Sequence, residues 1–528
     1  MVGSGATGSI AAQTLLERGR RVLMLDGGLR DDRYEGLIPD QSFVEIRKTS
    51  SEQHRFFLGD AFEGVAEPGI SSGAQLTPPR QVVTRDVERL LPVHSRTFHA
   101  IESLAFGGLG SAWGLGCCVF SAHELRAAGL DEARMRDAYR IVAARIGISG
   151  TDDDARPYTW DGLDRIQPAP LLDPTMSQLL RTYERRRLRL RRDGFFFGRP
   201  ALALLTEPFD GRAPTRMREM EFYDDRERAA WRPWITVQRL QRDPSFRYVG
   251  NTLVTAFTER DGAVDVEVMD LDTFDRRTFT ARRLVLASGV FGTARIVLRS
   301  LAPRNDRKLP LLCNSYEYLP SLVPSRIGKA EPARGNALGQ LLLAHDPDGN
   351  NRDVAIGAFY RVRSLLASRL AAQIPLAIAD SLPLLQYLQS GLIVVGIHQP
   401  DAYAPGKYLQ RVADASAPSG DALFIEYALD GERTAALRRR THLFARAIRM
   451  LGAFPLRRVE PGHGSSIHYA GTLPYSTAER PFALSPGGRL YGTASVYVAD
   501  GSGFTYLPAK SLTLSLMANA HTVATNVP

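Results

Sequence analysis

The opening stretch, MVGSGATGSIAAQTLLERGRRVLMLDGG, constrains the chain more than any other part of it. Gly3, Gly5 and Gly8 form a Gly-x-Gly-x-x-Gly run with Ala6 and Thr7 inside it. Glycine lets a backbone turn tightly and come close to a pyrophosphate, whose charge the N–H groups and dipole of a following helix favour. Ile10, Leu15 and Leu16 then share one helical face, and Gly19 stands where a helix C-cap belongs. RVLMLD reads as a buried strand ending at Asp26, where a carboxylate can accept from an adenosine ribose. Triplet, helix, strand and terminal acid together predict a dinucleotide site in a Rossmann-like α/β domain. Only Met1 and Val2 precede Gly3, although such a motif should follow a central strand of about five apolar residues. A missing strand would leave neighbouring backbone groups unpaired, so the expectation is a natural start further upstream.

A length of 528 residues predicts two domains or one large enzyme body. The formal charge of +9 is spread out, and only five of the 66 Lys and Arg residues are lysines. Arginine excess of this kind reflects genome composition more than a binding surface, and no nucleic-acid module is recognisable. The run RRRLRLRR at 185–192 reads as a solvated helix face, with an anionic substrate or lipid head group as the sharper alternative. Three cysteines, Cys117 and Cys118 among them, make neither a disulfide framework nor a zinc site. A reducing, cytoplasmic setting without signal peptide or metal is expected. No charge-free run is long enough to span a membrane. The apolar segment 365–396 is broken by Arg369, Pro375, Asp380 and Pro383. It reads as core helices, or as a patch that touches a membrane or a lipidic substrate.

The nucleotide site opened at residue 1 is finished near residue 500, and that length argues for a flavin rather than NAD. FGGLGSAWG at 106–114 supplies a second glycine pair, with Gly107, Gly108, Ser111, Ala112 and Trp113 as candidate contacts. The stretch 247–281 alternates like a β-meander with a turn at Asp261–Gly262, and contains a further candidate, Val254. RRLVLASGVFGTARIVLRS at 282–300 reads as strand, turn at Ser288–Gly289, then helix. ASVYVADGSGF at 494–504 ends a strand at Asp500–Gly501.

In this order, the N-terminal fingerprint, GGLGSAWG, ASGVFGTARIVLRS, HYAGT and ADGSGF…LPAKSLTLSLMANAHTVA resemble the glucose–methanol–choline (GMC) family of FAD oxidoreductases. The flavin loop is most similar to pyranose-oxidase-like members. The resemblance implies an FAD domain assembled from 1–160, 235–305 and 460–528. A substrate domain built on an antiparallel sheet and helices would occupy 161–234 and 306–459. It implies oxidation of an alcohol to a carbonyl, with oxygen, a quinone or an electron carrier taking the electrons from the flavin.

The resemblance places His468 of HYAGT over the reactive flavin nitrogen as the base that accepts the substrate's hydroxyl proton. Imidazole has a pKa near neutrality and needs little tuning for this. His463 lacks the Gly-Thr spacing and reads as a loop histidine. The family's second catalytic position, usually His or Asn, falls here on Ser511, whose reach is shorter. Lys510 is a candidate to stabilise developing negative charge, or a solvent-exposed loop lysine. Asn519 and His521 read as packing or surface residues. Pyranose oxidases carry the flavin on a histidine where this chain has Ala112, so the resemblance implies noncovalent FAD. Phe222, Tyr223, Trp231 and Trp234 stack on a sugar ring or pin the inserted domain to the body. The flavin loop tilts the substrate toward a sugar or glycoside. A reductase or desaturase running hydride the other way, and a flavoprotein that has lost its chemistry, are the competing readings.

Overall fold

The computed structural model describes residues 1–64, 76–302, 306–330, 332, 334–362 and 375–528. The side that carries the glycine fingerprint is a parallel sheet. The strands Phe246–Val249 and Val22–Leu25 pair on one side, Leu284–Leu286 and Val496–Val498 on the other. Val2 joins the two pairs through parallel bridges to Leu25 and Leu286. The three residues Met1–Gly3 hold the central position that the sequence seemed to leave empty. The Val2 N–H donates to Val285, Gly3 to Leu25, Leu25 to Met1 and Ala287 to Val2, all at 2.9–3.0 Å.

The helix Ala6–Glu17 follows, nearly all of it buried through Leu15. It ends before Gly19, which adopts the left-handed φ of +73° expected of a glycine C-cap. Its face packs on the helices Pro233–Leu240 and Thr513–Asn526. The meander is present as antiparallel strands Thr252–Arg260, Ala263–Asp270 and Arg276–Ala281, turning at Gly262. The helix Gly289–Leu301 starts directly after the strand that ends at Leu286, with Ser288 as N-cap.

The second architectural unit is a six-stranded antiparallel sheet. Its order is Phe454–Pro455, Ser315–Leu322, Leu392–Gln399, Ala355–Arg361, Leu341–His345 and Phe195–Gly198. Period-2 alternation divides its two faces. Leu319, Leu343, Phe359, Ile393, Val395 and Ile397 pack with Met176, Tyr183, Phe444 and Ile448 into one core. Those last four come from the helices Pro174–Arg192 and Gly431–Met450, which cover that face. The intervening residues turn the other way, toward the cavity described below.

The basic run lies at the exposed end of Pro174–Arg192, where Arg187 pairs with Asp154. That is the solvated-face reading. The first part of 365–396 falls outside the described residues. The part within them forms the helix Ile378–Leu388, on which Leu382, Leu384 and Tyr387 are exposed, and then the strand Leu392–Gln399. Among the described residues no helix is long and apolar enough to cross a membrane.

Candidate active site

A cavity of about 510 Å³ lies between the parallel sheet and the antiparallel one. Gly3, Gly5, Ala6 and Thr7 line it, as do Asp26 and Val254. Gly3 has φ +92°, and a Cβ there would sit 2.6 Å from the Ala287 carbonyl oxygen. A Cβ on Gly8 would stand 2.0 Å from the Gly3 oxygen, so Gly8 shapes the loop from behind without lining the cavity. Gly3 and Gly8 are therefore demanded by backbone meeting backbone, while a Cβ on Gly5 would meet nothing nearer than 3.9 Å.

Asp26 lies just past its strand and is buried. One oxygen accepts from the Ser4 N–H at 3.0 Å; the other accepts from the Ser4 hydroxyl at 2.5 Å and the Tyr248 hydroxyl at 2.8 Å. Burial raises its pKa, and the bonds from Ser4 and Tyr248 oppose that rise. The Ser4 oxygen also accepts from the Gly107 N–H at 2.8 Å, tying the fingerprint to the second glycine loop. Gly107 and Gly108 both have positive φ, which allows a 3₁₀ turn over Gly108–Ser111. The Ser111 hydroxyl donates to the Phe106 carbonyl at 2.7 Å, so Gly107 and Ser111 build the loop from outside the lining. Gly108, Ala112 and Trp113 do line the cavity, and the Trp113 indole N–H donates to the Trp231 carbonyl.

Ser288 and Gly289 line the cavity at the start of their helix. Asp500 and Gly501 reach it from the last strand of the parallel sheet. The Asp500 carboxylate accepts from the Thr293 hydroxyl at 2.5 Å and from the Ser502 N–H at 3.0 Å, which locks that corner. At the opposite end the lining is His468 with Tyr316, Tyr318 and Tyr360 from the antiparallel sheet.

His468 does more than line the wall. Its Nδ1 lies 3.0 Å from Asn314 Oδ1. The Asn314 amide nitrogen faces the carbonyls of Gln399, Leu507 and Pro508 at 3.0–3.4 Å. Carbonyl oxygens only accept, so the NH₂ group belongs on that side and the amide oxygen faces the histidine. An oxygen there requires Nδ1 to carry the proton. Burial pushes the His468 pKa down to about 4, so the neutral ring keeps an unprotonated Nε2 as acceptor. This corrects the expectation of a pKa near neutrality: desolvation, acting alone, disfavours the imidazolium.

Ser511 lines the cavity at the foot of the helix Thr513–Asn526, against Gly116, and its hydroxyl bonds to Cys118. Lys510, one residue earlier, does not line the cavity. Its ammonium is fully buried, 2.8 Å from Glu124 and 2.8 Å from the Asn351 side-chain oxygen, and donates to the Val119 carbonyl. This corrects the solvent-exposed reading of Lys510: its ammonium is fully buried in an ion pair with Glu124. His463 packs on Tyr427 at 4.9 Å and lies outside the lining. Asn519 accepts from Tyr475, and His521 bonds Thr14, so both are packing residues. Trp231 is 1% exposed, whereas Phe222 and Tyr223 line the cavity. Cys117 and Cys118 line it too, as thiols: burial raises both pKa values, that of Cys118 to about 11.

Two side chains that sequence reasoning passed over belong to this site. One is Asn314, in LLCNSYEYLP, and the other is His398, in LIVVGIHQP. The His398 ring stacks on His468 with centroids 4.9 Å apart and 25° between planes. The one available signal was alternation: Val394, Gly396 and His398 share a strand face opposite Ile393, Val395 and Ile397.

No protein-family model and no curated protein matches the chain. Solved structures do. Pyridoxine 4-oxidase from Mesorbium loti superposes with a TM-score of 0.56 over 99% of this chain and 97% of its own, at 14% identity. An FAD-dependent oxidoreductase from Chaetomium thermophilum superposes equally well, over 100% and 98%, also at 14% identity. At that identity the likeness speaks for the fold, an α/β architecture shared over essentially the whole length.

Proposed function

We propose that this chain is an FAD-dependent oxidoreductase of the GMC type that oxidises an alcohol to a carbonyl, with His468 as general base. One observation carries the reading: a single cavity runs from the glycine fingerprint and Asp26 to a histidine whose Nε2 is left as an acceptor by Asn314.

The residues fit the cofactor. The Gly3–Gly8 loop admits no Cβ at either end and brings the helix Ala6–Glu17 N-terminus to the cavity, as a pyrophosphate requires. Asp26 would accept from a ribose hydroxyl, and Val254 lines the same cavity. Asp500, Gly501 and the start of the helix Thr513–Asn526 would hold the ring system. FAD, when bound, supplies the two-electron acceptor for the hydride that leaves the alcohol carbon. Noncovalent attachment is supported by Ala112, which has no nucleophile, and by thiols that burial keeps protonated.

This chain's own task is to hold the alcohol and take its proton. The hydroxyl proton passes to Nε2 of His468, and the oxygen's electron pair becomes the second bond of the carbonyl. A positioned base of this kind contributes about 10²–10⁴ in rate. The wall of Tyr316, Tyr318 and Tyr360, with the aliphatic Leu342, Ile356 and Val394, favours a neutral alcohol that carries a ring. A sugar or glycoside fits that description, and so does an aryl alcohol such as pyridoxine. Oxygen, a quinone or a carrier would take the electrons onward. Three free, buried cysteines support a cytoplasmic setting.

The test is the visible spectrum of the purified protein before and after acid precipitation, followed by an alcohol panel. The panel holds methyl glycosides, benzyl alcohol and pyridoxine, under air and with dye acceptors. A flavin spectrum that passes to the supernatant, and bleaching by at least one alcohol, is the expected result. A protein that binds no flavin, or a bound flavin that no alcohol reduces, contradicts the proposal.

A further inference from the structure

We propose that His398 is the second catalytic residue of the site, donating a hydrogen bond from Nε2 to the same substrate oxygen whose proton His468 accepts. This rests on the alcohol-oxidation reading above and adds to it a partner for the base, drawn from the antiparallel sheet.

The geometry is specific. His398 sits on the strand Leu392–Gln399, at the cavity face, beside Val394 and Gly396. Its ring is held by packing on two sides of its environment: His468 at 4.9 Å and Tyr316 at 4.6 Å. Gly396 is what admits Tyr316, because a Cβ there would lie 2.8 Å from the tyrosine oxygen. The His398 Nδ1 is enclosed and has no hydrogen-bond partner. A buried acceptor without a partner is tolerated better than a buried N–H without one, so the ring proton belongs on Nε2. Burial and the neighbouring His468 keep the ring neutral. A neutral ring with Nδ1 bare has one N–H left to give, and the cavity is where it has a receiver.

The two histidines are thereby complementary. Asn314 leaves His468 with an acceptor, and an enclosed Nδ1 without a partner leaves His398 with a donor. Ring centroids 4.9 Å apart, with 25° between planes, put the two imidazoles side by side on one stretch of the cavity wall. Ser511 is less suited to this place, since its hydroxyl already bonds Cys118. The balance of the step is unchanged by His398. The carbon gives up hydride to the oxidised cofactor and the hydroxyl gives its proton to His468. His398 neither gains nor loses a proton but stabilises the charge that builds on oxygen in between.

The experiment is anaerobic rapid mixing of FAD-loaded protein with the alcohol that bleaches it fastest in the panel of benzyl alcohol, methyl glycosides and pyridoxine. His398→Phe keeps a flat ring against His468 and Tyr316 and removes the N–H. It should lower the limiting rate of flavin reduction about a hundredfold, as loss of one donor to a developing oxyanion does. Bound FAD and melting temperature should stay at the parent values. His398→Asn returns a donor and should recover about tenfold of that loss. His398→Ala only removes atoms, so it decides the matter if phenylalanine is not accommodated. A parent-like limiting rate in His398→Phe or His398→Ala, with FAD bound, overturns the proposal. A parent protein that no alcohol bleaches instead overturns the alcohol-oxidation reading itself, so the two failures are distinct.

Discussion

Where Gly8 meets Gly3, an added Cβ would lie 2.0 Å from a backbone oxygen; where Gly396 meets Tyr316, it would lie 2.8 Å from the tip of a side chain. The first clash has no exit without moving the glycine loop itself. The second is relieved when one tyrosine swings aside. The glycine loop is thus limited by backbone against backbone, and the antiparallel wall at Gly396 by a side chain. That difference makes the antiparallel wall the one that can take a new side chain without moving backbone.

The sharpest way to break the comparison is to add the same methyl group to both walls. Gly8→Ala should cost about 3 kcal/mol, the upper part of the range for overpacking, and should yield protein without flavin absorbance. A coloured, stable Gly8→Ala protein would deny that this loop is backbone-limited. Asn314→Leu removes the acceptor that sets the His468 tautomer, and should slow flavin reduction about tenfold, the worth of one hydrogen bond. An unchanged rate, measured with FAD content held equal, would remove Asn314 from the site. Gly396→Ala should keep full FAD occupancy and raise the half-saturating alcohol concentration by a few-fold, roughly 1 kcal/mol of lost packing. Loss of flavin there would erase the distinction between the walls.

The smallest effect concerns pH. Burial lowers the His468 pKa from 6.5 to about 4, so the neutral base persists below 6.5 and is lost only as pH falls through about 4. The rate of flavin reduction should therefore be flat from pH 8 to about 5. An inflection near 6.5 would mean that the ring is solvated as an ordinary histidine.

The same contrast governs what could be read from the sequence. Gly3, Gly8, Gly19 and Asp26 were legible because each answers a local backbone demand: a close approach, a left-handed turn, a strand end. The antiparallel sheet was legible only as alternation, and alternation does not reveal which face meets a ligand. His398 sits in a run that reads as one more buried strand. Asn314 acquires its role from Gln399, Leu507 and Pro508, which are distant in sequence. The burial of Lys510 was illegible for the same reason, since its partner Glu124 lies 386 residues away. His468 itself was singled out by resemblance, and its low pKa follows from a burial that no motif reports.

Under the proposed function, His468 takes the proton of an alcohol held against bound FAD. The direct measurement is anaerobic flavin bleaching by one alcohol in the parent protein and in His468→Ala, at equal FAD content. The account predicts bleaching in the parent and a limiting rate about 10²–10⁴ lower in the variant. Equal rates in the two proteins would contradict it.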